Sequence, residues 1–169
     1  MKRKVTATQN VSRMCMVCGV ENQFSLRGRF FLTESGELVG IFKPRPEHQG
    51  YPGRMHGGMV AALLDETIGR AVNAGRDEAW GVTVKFSMRL RRPVPLDREV
   101  KVVARITHEG SRKYEGTGEV VLDDGTVAAE AEGIYVKLPI DDIATGDFTD
   151  SDWLPDSLPA PEQVELGGE

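Results

Sequence analysis

Hydrophobic and polar positions along this chain follow two different periods. Residues 82–90, VTVKFSMRL, alternate strictly between apolar and polar, and a period of two predicts a strand. Its apolar positions, which are expected on one face, are Val82, Val84, Phe86, Met88 and Leu90. Residues 59–64 are instead continuously apolar and rich in Ala and Leu, which favours a helix buried on every side. The pattern therefore predicts a buried helix with the apolar face of this strand as part of its cover.

Further segments have the short apolar runs and flanking turn residues typical of strands. They are residues 24–32, 38–43, 100–107, 113–122 and 126–137. The sequence Asp123-Asp124-Gly125, between the last two, is a hairpin signal. Two strands, one long helix and four strands predict an α+β domain in which one antiparallel sheet wraps around one central helix.

Composition divides the chain into an N-terminal segment (1–23), a folded domain (24–138) and a C-terminal tail (139–169). The tail carries nine acidic residues and no Lys or Arg, within a chain of net charge −5. Such a composition predicts a disordered tail that docks locally through Trp153 and Leu154. The rest of the chain is slightly basic, which is too little to indicate a nucleic-acid partner but suits an anionic small molecule.

The sequence gives no indication of a membrane partner. No stretch is long and apolar enough to cross a bilayer, and the first residues, MKRKVTATQN, lack the apolar core of a secretion signal. We therefore expect a cytoplasmic protein.

The two cysteines, Cys15 and Cys18, form a C-x-x-C motif followed by Gly19. A structural zinc usually takes four ligands, and the sequence has no second cysteine pair. Two subunits could pool their thiols, or the pair could recruit a histidine. We nevertheless expect a reduced pair and no metal, and the absence of a βαβ pattern argues against a thioredoxin-type role.

Two adjacent carboxylates interrupt the apolar helix. Burying an unpaired carboxylate is costly, so each requires an explanation. Arg70 lies four residues after Glu66 and can pair with it on the same helix face. Asp65 has only Ala61 and Gly69 at that spacing, which makes it the candidate functional residue.

The start of the helix is the second candidate site. Gly57 and Gly58 follow His56, and backbone N–H groups in a first turn have no intrahelical acceptor. Glycines there allow a ligand to approach the backbone, and the helix dipole favours an anion or a polarised carbonyl oxygen. The alternative is a glycine-rich loop that feeds a core helix, with His56 in a structural role.

These motifs resemble those of a known family. The sequence HGGMVAALLDE, the preceding HQGYPG, the strand ending in RRPVP and the N-terminal CMVCGVENQFSLR are similar to hotdog-fold acyl-CoA thioesterases of the PaaI-like group. The resemblance covers roughly residues 14–137. It implies the hotdog fold, hydrolysis of an acyl-CoA thioester without a cofactor, and a homodimer or a dimer of dimers.

The resemblance also implies roles for individual residues. Asp65 would be the nucleophile or general base, the Gly57 N–H would form the oxyanion hole, and Thr83 would help to hold the water. The family often has Asn or Gln at the position of Gly50, where Gln49 or His48 could substitute. The full prediction is Asp65, Gly57, His56 and Thr83 for catalysis, and Gln49, Gly58, Glu66, Arg89, Arg91 and Arg112 for acyl-CoA binding.

Helix geometry adds a constraint once both catalytic roles are granted. Eight residues of α-helix rise about 12 Å, whereas an oxyanion donor and a base must both reach one small reacting group. Gly57 and Asp65 of one chain therefore cannot serve the same substrate, and the site is expected across a two-fold interface. The alternatives are a hydratase or dehydratase on the same fold, which would use His56 with an acid, and a non-catalytic acyl-CoA-binding protein.

Overall fold

A computed structural model describes residues 1–73 and 80–166 of the chain. None of the helices in this part is long and apolar enough to cross a bilayer. The helix and strands, in chain order, are β1 (Lys2–Thr8), β2 (Val11–Ser12), β3 (Arg29–Thr33), β4 (Leu38–Phe42), α1 (Gly57–Arg70), β5 (Trp80–Leu90), β6 (Val100–Glu109), β7 (Lys113–Val121), β8 (Val127–Leu138), β9 (Trp153–Leu154) and β10 (Gln163–Glu165).

Eight of these strands form one antiparallel sheet, in the order β10-β1-β3-β4-β6-β7-β8-β5, and β2 pairs separately with β9. Helix α1 packs on the sheet and contacts β4 through β8. Val60, Leu63, Leu64 and Ile68 of the helix are fully or almost fully buried there. The predicted α+β architecture, one antiparallel sheet around one central helix, is confirmed, and it is the hotdog fold.

Glycines on β7 allow the helix to lie close to the sheet. A Cβ atom added at Gly116 or at Gly118 would lie 2.8 Å from the Ile68 side chain. Because a side chain at either position would push the helix outward, these glycines set the depth of α1 in the sheet.

The first predicted strand, residues 24–32, is wrong at its start. Strand β3 begins only at Arg29. Before it, Asn22 Oδ1 accepts a hydrogen bond from the Phe24 N–H, and Arg27 has a φ of 51°. These are turn conformations that interrupt an extended chain. The sequence also did not predict β1, a strand of three consecutive cationic residues followed by Val, Thr and Ala that pairs with β3 and β10.

Strand β5 departs from strict alternation. Its register against β8 shifts between Thr83 and Lys85, so Val84 is an extra, unpaired residue. Thr83 therefore lies opposite the buried Tyr135, while Val84 is 59% exposed. The prediction that Val82 and Val84 share the helix-facing side with Phe86 is wrong, because one extra residue reverses the alternation.

Tail residues 139–166 have little regular secondary structure but contact the rest of the chain at β9 and β10; residues 167–169 lie outside the described part. The predicted local docking is present, since Trp153 and Leu154 form β9 and pair with β2. Farther along, Val164 on β10 is 2% exposed and packs in a cluster with Phe31 and Val39.

Ion pairs also hold the tail against the rest of the chain. Tail carboxylates meet cations of the body, with Arg13–Asp152 at 3.2 Å, Arg29–Asp156 at 2.5 Å and Lys2–Glu165 at 2.9 Å. Composition predicted a solvated acidic segment because it does not show where the matching basic residues lie.

Candidate active site

The first turn of α1 is capped by the histidine that precedes it. His56 has the extended backbone of an N-cap, and its Nδ1 accepts a hydrogen bond from the Gly58 N–H at 2.9 Å. The Gly57 N–H has no acceptor among the described residues. The His56 ring therefore stabilises the helix start, and Gly57 presents the open donor of the first turn.

The loop before the helix uses its polar side chains internally. Gln49 Oε1 accepts from the Gly53 N–H at 2.9 Å. His48 is buried, and its Nδ1 accepts from the Arg45 N–H while its Nε2 lies 2.9 Å from the Phe24 carbonyl oxygen. Gln49 and His48 were predicted to replace the Asn or Gln that the family often has at the position of Gly50. In the structure, both side chains instead stabilise the loop.

Asp65 lies at the centre of a small hydrogen-bonded cluster. Its Oδ1 accepts from the Thr83 hydroxyl at 2.9 Å and from the Tyr135 hydroxyl at 3.0 Å. None of the described residues donates to its Oδ2. The carboxylate is therefore fixed through one oxygen, and the other is available to a water molecule or a substrate.

Burial is the main influence on the ionisation of Asp65. It raises the pKa of the carboxyl, the hydrogen bonds from Thr83 and Tyr135 oppose the rise, and the neighbouring charge of Glu66 adds to it. A higher pKa makes the carboxylate a stronger base. These surroundings differ from the ion pair that holds Glu66.

Two stacked tyrosines support this cluster. The rings of Tyr114 and Tyr135 lie 5.0 Å apart and nearly parallel, and the Tyr114 hydroxyl donates to the Gly69 carbonyl at 2.6 Å. Burial raises the pKa of both hydroxyls, so they remain neutral donors. Gly81 on β5 leaves room for Tyr114, because a Cβ there would lie 1.7 Å from the hydroxyl oxygen.

Tyr135 was not predicted from the sequence. Its spacing from Asp65 carries no motif, because the contact depends on the pairing of β8 with β5 and on the bulge in β5. The alternation of residues 126–137 indicates only that Tyr135 faces inward. Thr83, by contrast, was predicted from its spacing to Asp65, and the structure brings the two together.

Asp65 opens into a cavity of about 240 Å³. Its walls come from α1, from β5 and β8, and also from the N-terminal segment and the tail, which contribute Ser12, Cys15 and Trp153. The cavity therefore includes parts of the chain outside the central sheet and helix.

Glu66, predicted as a substrate-binding residue, has a structural partner. The expected pair is present, with Arg70 Nε donating to Glu66 Oε1 at 2.7 Å. The Arg70 guanidinium also donates to the Asn10 carbonyl at 2.8 Å and lies 4.6 Å from the centre of the Trp153 ring. The Glu66–Arg70 pair thus ties the N-terminal segment and the tail to the helix.

The three arginines predicted to bind acyl-CoA lie near opposite ends of strand β5. Arg89 lines a depression on the sheet surface, and Arg91 is paired with Glu130 at 2.6 Å. Arg112 lies at the other end, where its carbonyl accepts from the N–H of Lys137, the residue paired with Gly81. No one cavity of the described residues contains all three arginines together with Asp65.

Gly57 and Asp65 also lie apart. A Cβ at Gly57 would lie 3.3 Å from Leu90 Cδ1, at the end of β5, whereas Asp65 contacts Thr83 near its start. Strand β5 therefore runs alongside α1, with the two candidate groups near its opposite ends.

Comparison with known proteins confirms the resemblance. Residues 52–129, a little under half of the chain, match the model of the thioesterase superfamily. Acyl-coenzyme A thioesterase THEM4 of Bos taurus is 28% identical over 107 residues, which are 63% of this chain and 43% of the relative. The chain thus spans less than half the length of this curated relative.

Solved structures agree on the fold. A thioesterase superfamily protein is 31% identical with a TM-score of 0.68, over 75% of this chain and 62% of its own. The E. coli PaaI protein from the phenylacetic acid degradation operon has a TM-score of 0.61 at 18% identity, over 68% of this chain and 81% of its own.

Proposed function

Because this hotdog-fold chain matches the thioesterase superfamily over residues 52–129, we propose that it is an acyl-CoA thioesterase with Asp65 as its catalytic carboxylate. The main observation behind the proposal is the hydrogen bonding of the Asp65 carboxylate and its place beside a cavity. Two neutral donors hold one oxygen, none of the described residues donates to the other, and the residue lines a cavity.

In the proposed reaction, Asp65 Oδ2 either accepts a proton from an attacking water molecule or attacks the thioester carbon itself. A carbon–oxygen bond forms, and the carbonyl oxygen becomes an oxyanion that accepts from the Gly57 N–H. The carbon–sulfur bond then breaks, and CoA leaves as a thiol with the proton that Asp65 took from the attacking water molecule. If Asp65 attacks directly, the thiolate takes its proton from solvent water, and a second water molecule hydrolyses the Asp65 acyl anhydride to the free acid and restores the carboxylate. One such oxyanion donor is worth about 10²–10³ in rate.

The proposed site combines two chains. Eight residues of helix place Gly57 about 12 Å from Asp65 in one chain, which is too far for one carbonyl group. Strand β5 is an edge of the sheet. If two β5 edges pair antiparallel about an axis at Ser87, with Val84 as the extra residue of each strand, Leu90 of one chain comes opposite Thr83 of the other. Gly57 of one chain would then approach Asp65 of its partner.

The exposure of β5 supports this dimer. Val84 is 59% exposed and Leu90 is 52% exposed on a strand whose outer edge has no neighbour among the described residues. A long edge with exposed apolar side chains is a ready surface for pairing with a second chain. The association of two such dimers would leave the proposed site unchanged.

The same arrangement gathers the predicted cations. It would bring the C-terminal end of β5 in one chain, with Arg89 and the nearby Arg91, toward the N-terminal end of β5 in the other, near Arg112. Guanidinium groups bind phosphates through paired hydrogen bonds. We propose Arg89 and Arg112 as contacts for the CoA phosphates, and Arg91 as a weaker candidate because Glu130 already occupies it.

The hydratase alternative fits the structure less well. It would need the His56 ring to face a substrate, whereas its Nδ1 caps the Gly58 N–H. A panel of acyl-CoAs, followed by chromatographic measurement of free CoA, tests the proposal. The thioesterase releases CoA from at least one member; addition of water without release of CoA, or binding without turnover, would contradict it.

Variants make the assay specific to the site. Asp65→Asn keeps the shape of the side chain and removes the base, so it should lose nearly all turnover while acyl-CoA binding persists. Thr107→Ser, an exposed change on β6, is the matched control. A fully active Asp65→Asn enzyme would exclude Asp65 as the catalytic group.

A further inference from the structure

The C-x-x-C motif lies against the helix that carries Asp65. The turn at Cys15 is closed by a hydrogen bond from the Gly19 N–H to the Cys15 carbonyl at 2.8 Å. A Cβ at position 19 would lie 2.3 Å from that carbonyl oxygen, so the turn requires glycine. This turn brings both sulfurs to the same side, facing Glu66.

Three ligand atoms of different residues meet at this point. Cys15 Sγ, Cys18 Sγ and a carboxylate oxygen of Glu66 all lie within 4.8 Å of one another. The glutamate is the third ligand that the sequence did not reveal, because it lies 48 residues from Cys18.

From this geometry we propose that the protein binds one zinc ion per chain through Cys15, Cys18 and Glu66. Zinc lies about 2.3 Å from a thiolate sulfur and about 2.0 Å from a carboxylate oxygen, which separates the two atoms by about 3.5 Å in a tetrahedral site. Cys18 Sγ and Glu66 Oε1 are already 3.8 Å apart. The ligands therefore need only small side-chain movements to close on the metal.

Donors around the sulfurs suit thiolates. The Val17 N–H donates to Cys15 Sγ and the Ser12 N–H donates to Cys18 Sγ, both at 3.3 Å. Arg70 Nη2 donates to Cys18 Sγ at 3.0 Å, while its Nε holds Glu66. Hydrogen bonds of this kind orient metal ligands and stabilise their negative charge.

Charge balance favours the same conclusion. Two thiolates and Glu66 carry three negative charges, which Arg70 and a divalent cation neutralise together. A buried group of charges is tolerated when it is compensated in this way. Thiolate ligands select zinc over magnesium or calcium, which prefer oxygen.

The fourth position of the ion would face the candidate active site. Cys15 and Glu66 both line the cavity that contains Asp65. Three protein ligands and one open position are typical of zinc sites that hold a water molecule or a ligand. The inferred site therefore joins the N-terminal segment to α1 beside the catalytic carboxylate, and it does not depend on the proposed thioesterase activity.

The test uses the full-length protein, produced with zinc and dialysed under reducing conditions. Elemental analysis should find about one zinc per chain. Replacement with Co²⁺ should give sulfur-to-cobalt charge-transfer absorption in the near ultraviolet and the strong visible bands of a four-coordinate site. Protein without retained zinc and without these bands overturns the proposal, as does a Cys15–Cys18 disulfide that persists after reduction.

Variants assign the ligands. Cys15→Ser, Cys18→Ser and Glu66→Gln should each lose the metal or weaken its binding at least tenfold in chelator competition. Glu21→Gln is the control, because Glu21 is an exposed carboxylate of the same segment. Equal zinc binding in Glu66→Gln overturns the ligand set. The wild-type cobalt spectrum keeps the proposal falsifiable even if a variant fails to fold.

Discussion

The two-chain site can be tested by complementation between two inactive variants, Gly57→Pro and Asp65→Asn. The structure indicates that proline is tolerated at position 57. Proline is favoured at the first position of a helix, and it requires an extended residue before it. His56 meets that requirement with φ −63° and ψ 137°. A Cβ at this position would lie 3.3 Å from Leu90 Cδ1, the flexible end of a side chain.

Each parent homodimer should be nearly inactive. Gly57→Pro removes a donor worth about 10²–10³ in rate, and Asp65→Asn removes the base. Gly57→Ala is the matched control, because it adds a Cβ but keeps the N–H. It should retain most of its activity, which separates loss of the donor from steric disturbance.

Mixed dimers should recover activity by a calculable amount. In a mixed dimer, one site collects both defects and the other collects neither. If the subunits assemble at random, half of the dimers are mixed and each has one intact site, so activity should reach about a quarter of wild type. Co-expression of two differently tagged chains, purification through both tags and a CoA-release assay measure it. Verified mixed dimers no more active than the parents would refute the shared site.

Three other predictions concern the surroundings of Asp65. Glu66→Gln should reduce turnover far less than Asp65→Asn and should mainly lower stability in denaturant unfolding, because Glu66 pairs with Arg70; the reverse order would exchange their roles. Tyr135→Phe removes one of the two hydrogen bonds that position Asp65 and oppose the rise of its pKa, so kcat should fall through lost positioning and the acid limb of the pH–kcat profile should move to higher pH, with Tyr51→Phe, an exposed tyrosine, as control. Truncation after Leu138 should lower the free energy of unfolding by at least about 1.5–3 kcal/mol, the value of one buried side chain, because it removes Val164; unchanged denaturation would show that the tail contributes nothing.

The sequence was sufficient for the central architecture. A continuous apolar run predicts a buried helix, and turn signals separate the strands around it; both are local properties. Burial on every side was wrong, because Met59, Ala61 and Ala62 are only partly buried. The Glu66–Arg70 pair is likewise a local property, since four residues of helix bring the two side chains together. The tail required information that composition lacks, namely that Arg13 and Arg29 lie where its carboxylates can reach them.

The candidate site shows why the remaining features could not be predicted. Thr83 was assigned by its spacing to Asp65 but placed by alternation on the side facing away from the helix, and the two inferences conflict. The bulge at Val84 resolves the conflict, because an extra residue in β5 turns Thr83 inward while Phe86 stays against the core. Tyr135 then completes the cluster from the neighbouring strand. A departure from regular β structure thus provides the polar contacts of Asp65, which explains how an apolar helix can carry a carboxylate in a defined position.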